Sequence, residues 1–420
     1  VLLFHLKIPG FSGGFVGVDI FFVISGYLIT KNIYSDLDAG KFRFKDFYLR
    51  LIYRLLPALL VTIAVTLVAS YFILTPEHFS RLGSTSVASV FSVSNFLFWS
   101  EADYFDDAKI LKPLLHTWSL WVEEQFYLLW PLLLFLLYSK GKKVACFSIL
   151  LLAMVSLMAA QGLLSQYTTL VFYWMPLRIS EFAVGAVLVL CCYVPSATWR
   201  TSLAAVAGLG LMLVPIAMYS EQTAFPGVMA LIPCVGKALL IRYGRASIVF
   251  PLLANALFRQ LGKISYSLYL VHWPVIVLVS YWKLGGIGAK SLVIVVPFIF
   301  LLAWALHHQV EQRYRRTKAS TKPLKKGLGV AFFAALISLL ATSISVGNGW
   351  PWRYNARAHV VINATDGLSA SSDSRSRLVS LHQSSFQDQE NVARHYIIGD
   401  SFAEGTMLAL KAAAPRLNLK

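Results

Sequence analysis

LLHTWSLWVEEQFYLLWP, Leu114 to Pro131, sets one histidine and two adjacent carboxylates into a run otherwise apolar enough for the interior of a bilayer. If the run is helical from His116, Glu123 lies seven residues on and about 20° round the axis, so the two share a face, with Glu124 roughly 80° away. Ionisable groups at membrane depth are costly; where they occur they line a polar cavity and mark a substrate or proton path. The bland alternative is the hydrated end of a helix, with Trp118 and Trp121 in an interfacial aromatic belt. The expectation is a titratable cluster facing one cavity.

The whole chain shares this apolar character. Hydrophobic residues make up 57% of 420 positions and charged residues only 14%, with a mean hydropathy of +0.64, which excludes an ordinary soluble globular protein. The 37 Lys and Arg against 20 Asp and Glu give a net charge of +17. These basic residues fall in short loops between apolar runs, the positive-inside pattern, so the charge implies a lipid bilayer and no nucleic-acid partner. Cys146, Cys191, Cys192 and Cys234 lie in apolar segments without ligand spacing or a loop framework. They read as small core residues, with neither a metal site nor a disulfide scaffold.

Apolar runs long enough to span occur near residues 15–33, 53–74, 119–138, 144–160, 178–194, 201–219, 225–241, 264–282, 289–307 and 328–346. VLLFHL at the start reads as the end of a further helix, so the expectation is an all-α polytopic membrane protein of about eleven spans, the first partial. Lys41, Arg43, Lys45 and Arg50, then Lys140, Lys142 and Lys143, then seven Lys or Arg between 313 and 326 mark cytoplasmic loops. Keeping them all on one side requires that 84–99, an apolar run broken by Ser, Thr and Asn, be re-entrant or lie on the outer face. The C-terminus is then external.

Composition changes at Asn348. Residues 1–310 read as a transmembrane domain, 311–347 as a basic cytoplasmic loop plus a final span, and 348–390 as a polar periplasmic linker. HYIIGDSF at 395–402 then gives a strand running into a Gly-Asp-Ser turn, followed by a helical pattern, so 391–420 reads as the start of a truncated α/β domain.

Other candidate residues lie on the spans. His5 ends the first helix, and Asp19 sits mid-helix in GGFVGVDIFFVISGYLI, where a carboxylate in lipid requires a partner; both are candidates for the cavity of Glu123. Arg50 and Arg54, i and i+4 in FYLRLIYRLLP, form one cationic face at the inner mouth, suited to phosphate or equally to lipid headgroups. Arg178 and Glu181 are placed for an internal ion pair. His272, in LGKISYSLYLVHWPVI, titrates near neutrality when unperturbed, and a place in the aromatic belt with Trp273 is favoured for it.

Together FHLKIPGFSGGFVGVDIFFVISGYLIT at 4–30, FYLRLIYRLLPALL at 47–60, LKPLLHTWSLWVEEQFYLLWPLL at 111–133, LGKISYSLYLVHWPVI at 261–276 and IIGDS at 397–401 resemble the acyltransferase-3 family. The resemblance is to its subgroup fused to a C-terminal SGNH-hydrolase-like domain, typified by O-antigen acetylases. It implies transfer of an acyl group, usually acetyl, from cytoplasmic acetyl-CoA across the bacterial inner membrane to a hydroxyl of an envelope glycan such as lipopolysaccharide O-antigen. Acyl-CoA is then a co-substrate, and no tightly bound cofactor or metal is implied. His5 matches the histidine central to transfer, Arg50 and Arg54 the basic motif acting with the donor, Glu123 and Glu124 the paired acids, and Asp400 and Ser401 the SGNH nucleophile block. The chain departs from the family at Leu51, often Arg, and at Phe402, usually His. Acyl transfer to an alcohol needs a base or covalent relay, which His5 or His116 supplies, and a carboxylate to orient the imidazolium. The rival reading from the residues alone is a proton-coupled transporter of a small anionic or sugar substrate.

Overall fold

The computed structural model describes residues 1–102, 112–191, 196–283, 287–315, 323–353, 394–395 and 418–419. These form two compact units, Val1–Ile73 with Ser84–Ala341 and Leu74–Gly83 with Thr342–Lys420.

The first unit is helical. In chain order it contains α1 (Leu2–His5), α2 (Gly17–Asp38), α3 (Phe44–Ile73), the C-terminal half of α4 (Pro76–Val90) from Ser84 on, α5 (Ser94–Glu101), α6 (Thr117–Tyr138), α7 (Lys142–Leu163), α8 (Thr168–Tyr173) and α9 (Ile179–Cys191). There follow α10 (Trp199–Met218), α11 (Gly227–Tyr243), α12 (Phe250–Leu253), α13 (Ala256–Trp282), α14 (Ala289–Leu306), a π-helical turn at His307–Glu311, α15 (Gln312–Arg315) and most of α16 (Pro323–Val346).

Nine helices among the described residues are long and apolar enough to cross a membrane. The chain is a multi-pass membrane protein. Two of the eleven expected spans are not among these nine: the first residues form the single turn α1, and of the 178–194 run the structure describes α9, with 192–194 outside the described residues. Arg178, Ser180 and Glu181, at the start of that run, are all buried. The 84–99 run supplies no span. It is divided between α4 and α5 by a break at Phe91, Ser92 and Val93, where Ser92 adopts φ +62.

Helix α9 lies in a tight crossing with α2. A Cβ at Gly26 would overlap the Phe182 carbonyl, and one at Gly185 would overlap that of Val23. Only glycine permits that backbone approach, the small-residue packing that replaces hydrophobic driving force in lipid. Beside the crossing, Phe182 stacks between Phe22 and Phe126, with ring centroids 4.4 and 4.2 Å away. This ties α2, α6 and α9 into the core.

Prolines interrupt three helices that carry polar side chains, at Pro57 in α3, Pro131 in α6 and Pro274 in α13. Each removes an N–H and frees the carbonyl four residues earlier, which is tolerated at membrane depth where other groups in the protein can bond to it. The start of α13 is set by Asn255, whose side chain accepts from the Phe258 N–H at 2.9 Å.

Cys146 corrects the sequence reading, for it is disulfide-bonded. Helices α7 and α9 pack together, a proximity invisible to sequence spacing. Cys234 is free and buried.

In the second unit, Arg353 donates to the Leu74 carbonyl at 2.8 Å and to the Gly349 carbonyl at 3.1 Å, and lies 4.4 Å over the Phe79 ring. Two-residue strands, β1 (Arg394–His395) and β2 (Asn418–Leu419), pair in parallel. The linker expected at 348–390 is described only as far as Arg353, and Asp400 and Ser401 lie outside the described residues.

Candidate active site

Three histidines from distant parts of the chain meet. His5, at the end of α1, lies 5.5 Å from His272 and 4.4 Å from Trp273 between ring centroids. His116, the N-cap residue of α6, lies 5.7 Å from His272 and 5.5 Å from Tyr269. His116 and His272 are buried and His5 is half-buried.

Helix α13 organises this group. Tyr269 Oη donates to the His116 carbonyl at 3.0 Å and lies 2.6 Å from Ser119 Oγ, joining α13 to the first turn of α6. Trp273 Nε1 donates to the Lys112 carbonyl at 2.8 Å, which fixes the segment leading into α6. The start of α6 is held further by Thr117, whose hydroxyl lies 3.1 Å from Ser89 Oγ and 2.9 Å from Ser94 Oγ. The imidazole that reads as an aromatic-belt residue in the sequence is therefore the buried middle member of a triplet.

Next along α6 lies a carboxylate cluster. Glu123 accepts from Ser25 on α2 and from Tyr127 one turn further along α6. Ser92, in the break between α4 and α5, donates to Glu124 Oε2 at 3.0 Å. Arg54 of α3 is exposed, and its charge acts on Glu123, Tyr127 and Tyr266. Tyr266 Oη donates to the Leu55 carbonyl at 2.8 Å, so α13 again supplies the wall. The face of α13 carrying Tyr266, Tyr269 and His272 thus runs from the Arg54 and Glu123 cluster to the imidazoles.

Other candidates go elsewhere. Asp19 is fully buried against Arg178 of the segment before α9, and Arg178 Nε also donates to Glu181 at 3.0 Å. Aromatic rings of Phe22, Phe172 and Trp118 enclose the guanidinium at 5.5 to 5.9 Å. The expected Arg178 and Glu181 pair is present, and its third member is Asp19. Arg50 and Arg54 also part company: Arg50 pairs with Asp36 at 2.8 Å on an exposed surface, whereas the charge of exposed Arg54 is felt at Glu123. His5 and Glu123 occupy the two different clusters and share no hydrogen bond.

One polar group escapes sequence reasoning. In the π-helical turn, Glu311 Oε2 accepts from Ser267 at 2.9 Å and from His307 Nδ1 at 2.8 Å, while His307 Nε2 lies 3.0 Å from the Gln312 side-chain nitrogen. The i, i+4 spacing of His307 and Glu311 is the signal the sequence offers, and in the π-helical turn both side chains are buried.

The family profile described as "Acyltransferase domain" matches residues 2–308, which contain both clusters. The chain is 30% identical over 374 residues to the O-acetyltransferase OatA of Staphylococcus aureus strain NCTC 8325, covering 83% of this chain and 61% of that protein. It is 32% identical over 297 residues to the peptidoglycan O-acetyltransferase OatA of Listeria monocytogenes, covering 67% of this chain and 48% of the relative. The putative peptidoglycan O-acetyltransferase YrhL of Bacillus subtilis is 29% identical over 377 residues, with coverage of 80% and 59%. The chain thus spans about half to three fifths of the length of these relatives. No solved structure matches the chain. Since the profile covers the helices that carry the histidines, the paired acids and Arg54, the chain belongs to the acyltransferase-3 family.

Proposed function

We propose that the protein is a membrane-bound O-acyltransferase that moves an acyl group, acetyl by analogy with its relatives, from cytoplasmic acyl-CoA to a hydroxyl of a cell-envelope polysaccharide. The observation that carries this reading is the succession along α13 of two polar clusters, the imidazoles and the half-buried carboxylates, within apolar helices. Arg54, at the carboxylate cluster, suits the phosphates of an anionic donor. The imidazoles suit proton transfer at an alcohol. In this reading His5 acts at the acyl group, and Glu123, held by Ser25 and Tyr127, shapes the polar path that leads to it.

The relatives' names favour a peptidoglycan strand as acceptor over lipopolysaccharide O-antigen. The basic loops favour a donor side in the cytoplasm of a plasma membrane and a 348–420 region outside, with Asp400 and Ser401 serving a later, separate step. The test uses the full-length protein in proteoliposomes with labelled acetyl-CoA and either a peptidoglycan or an O-antigen oligosaccharide. Label should enter one glycan as an ester, and His5→Ala and Glu123→Gln should abolish it while the protein remains inserted. Donor turnover lost in Ser401→Ala but unaffected in His5→Ala would reverse the roles.

A further inference from the structure

His272 is oriented by a backbone carbonyl of its own helix. Its Nδ1 lies 2.6 Å from the Tyr269 carbonyl oxygen. A carbonyl only accepts, so Nδ1 carries the proton and Nε2 presents a lone pair. That Nε2 is buried and has no hydrogen-bond partner within the protein. Facing the same ring is His116, neither of whose ring nitrogens makes a well-formed hydrogen bond in the protein. The backbone of Leu270, whose carbonyl Pro274 leaves without its intrahelical donor, lies close to His116.

Buried polar atoms are rarely left unpaired, and three on two imidazoles in contact mark a site built for a polar ligand. Here they are one fixed acceptor and an imidazole able to donate or accept. A hydroxyl complements that set, giving its proton to the lone pair and receiving a hydrogen bond at its oxygen. A metal ion does not suit it: no group of three ligating side chains among the described residues is arranged to hold one.

Resting on the acyl-transfer reading above, we infer that His272 is the general base for the acceptor, and that the acceptor's alcohol oxygen binds at His272 Nε2, beside His116. The hydroxyl proton passes to His272 Nε2 as the oxygen bonds to the acyl carbonyl carbon. The carbon–sulfur bond of the thioester then breaks, and the thiolate leaves and recovers the proton from the imidazolium. The Nδ1–H bond to the Tyr269 carbonyl persists in both charge states, so the ring need not reorient during the cycle. His116, in edge contact with the His272 ring, positions the oxygen.

The experiment measures acetyl transfer from acetyl-CoA to ethanol and to the more acidic trifluoroethanol, with full-length wild type and His272→Gln in proteoliposomes. Loss of a general base should lower kcat toward ethanol by roughly 10²–10⁴-fold. The deficit should shrink toward unity with trifluoroethanol, which needs less help in losing its proton, and the KM for acetyl-CoA should stay at the wild-type value. Should His272→Gln fail to accumulate, His272→Asn is read in the same way. An equal deficit with both alcohols, a changed donor KM with kcat retained, or wild-type transfer by the variant overturns the assignment of His272 alone. Absence of transfer by wild type to any alcohol or glycan overturns the acyl-transfer reading, and this proposal with it.

Discussion

Ser92, held at φ +62 in the break between α4 and α5, donates a 3.0 Å hydrogen bond to Glu124 on α6. The left-handed backbone region is unfavourable for a residue with a Cβ, and the contact with a half-buried carboxylate compensates for it. Two substitutions separate these effects. Ser92→Ala keeps the backbone cost and leaves the carboxylate short of a donor, so it should destabilise the protein by about 1–3 kcal/mol. Ser92→Gly removes the backbone cost as well and should be milder. Thermal unfolding in detergent compares the two, and a glycine variant less stable than the alanine variant contradicts this account.

Arg178 sits between Asp19 and Glu181, and all three are buried. Removing the cation leaves two carboxylates facing each other in an apolar surrounding, a loss of about 3–5 kcal/mol for a broken buried pair. Arg178→Met should therefore not accumulate in membranes. The triple variant Arg178→Met, Asp19→Asn, Glu181→Gln, which removes the charges together, should recover accumulation on an immunoblot. Asp19→Asn alone should lower acyl transfer only in proportion to protein level. Full accumulation with no transfer would place Asp19 in the chemistry.

Arg50 and Arg54 should differ sharply. The Arg50 and Asp36 pair is solvent-exposed and contributes little, so Arg50→Ala should leave transfer near wild type. Arg54→Ala removes the cation beside Glu123. It should lower kcat/KM for the acyl-CoA donor by roughly 10- to 150-fold, the equivalent of about 1.5–3 kcal/mol for one charged hydrogen-bonding group. Equal donor dependence in the two variants would count against Arg54 as the donor contact.

Gly26→Ala should damage the fold itself. The added methyl meets the Phe182 backbone, which cannot swing aside as a side chain would. Overpacking costs typically about 1–3 kcal/mol, and a backbone clash belongs at the upper end. Size-exclusion profiles after mild heating should show early aggregation, with Gly185→Ala behaving alike and Gly210→Ala, which has open space around it, behaving as wild type.

The sequence by itself determined the membrane class, the order of the long helices, the polar character of α6 and the placing of 84–99 outside the set of spans. These follow from local properties: the length of an apolar run, the cost of charge in lipid and Ser, Thr and Asn scattered through a hydrophobic stretch. Arg178 with Glu181 was legible because both lie within one helical turn. What only the tertiary structure decided was which polar groups share a site. Asp19 and His5 lie on neighbouring segments near the start of the chain, yet one is taken by Arg178 and the other stands against His272. His272 and Trp273 are adjacent in sequence, and either an aromatic belt or a buried polar cluster agrees with that. The choice rests on Tyr269 reaching the start of α6, a contact between residues 153 positions apart. Helical periodicity specifies the face on which a side chain lies, whereas the partner of that face depends on how the helices pack, through close glycine crossings and proline-freed carbonyls distributed along the whole chain.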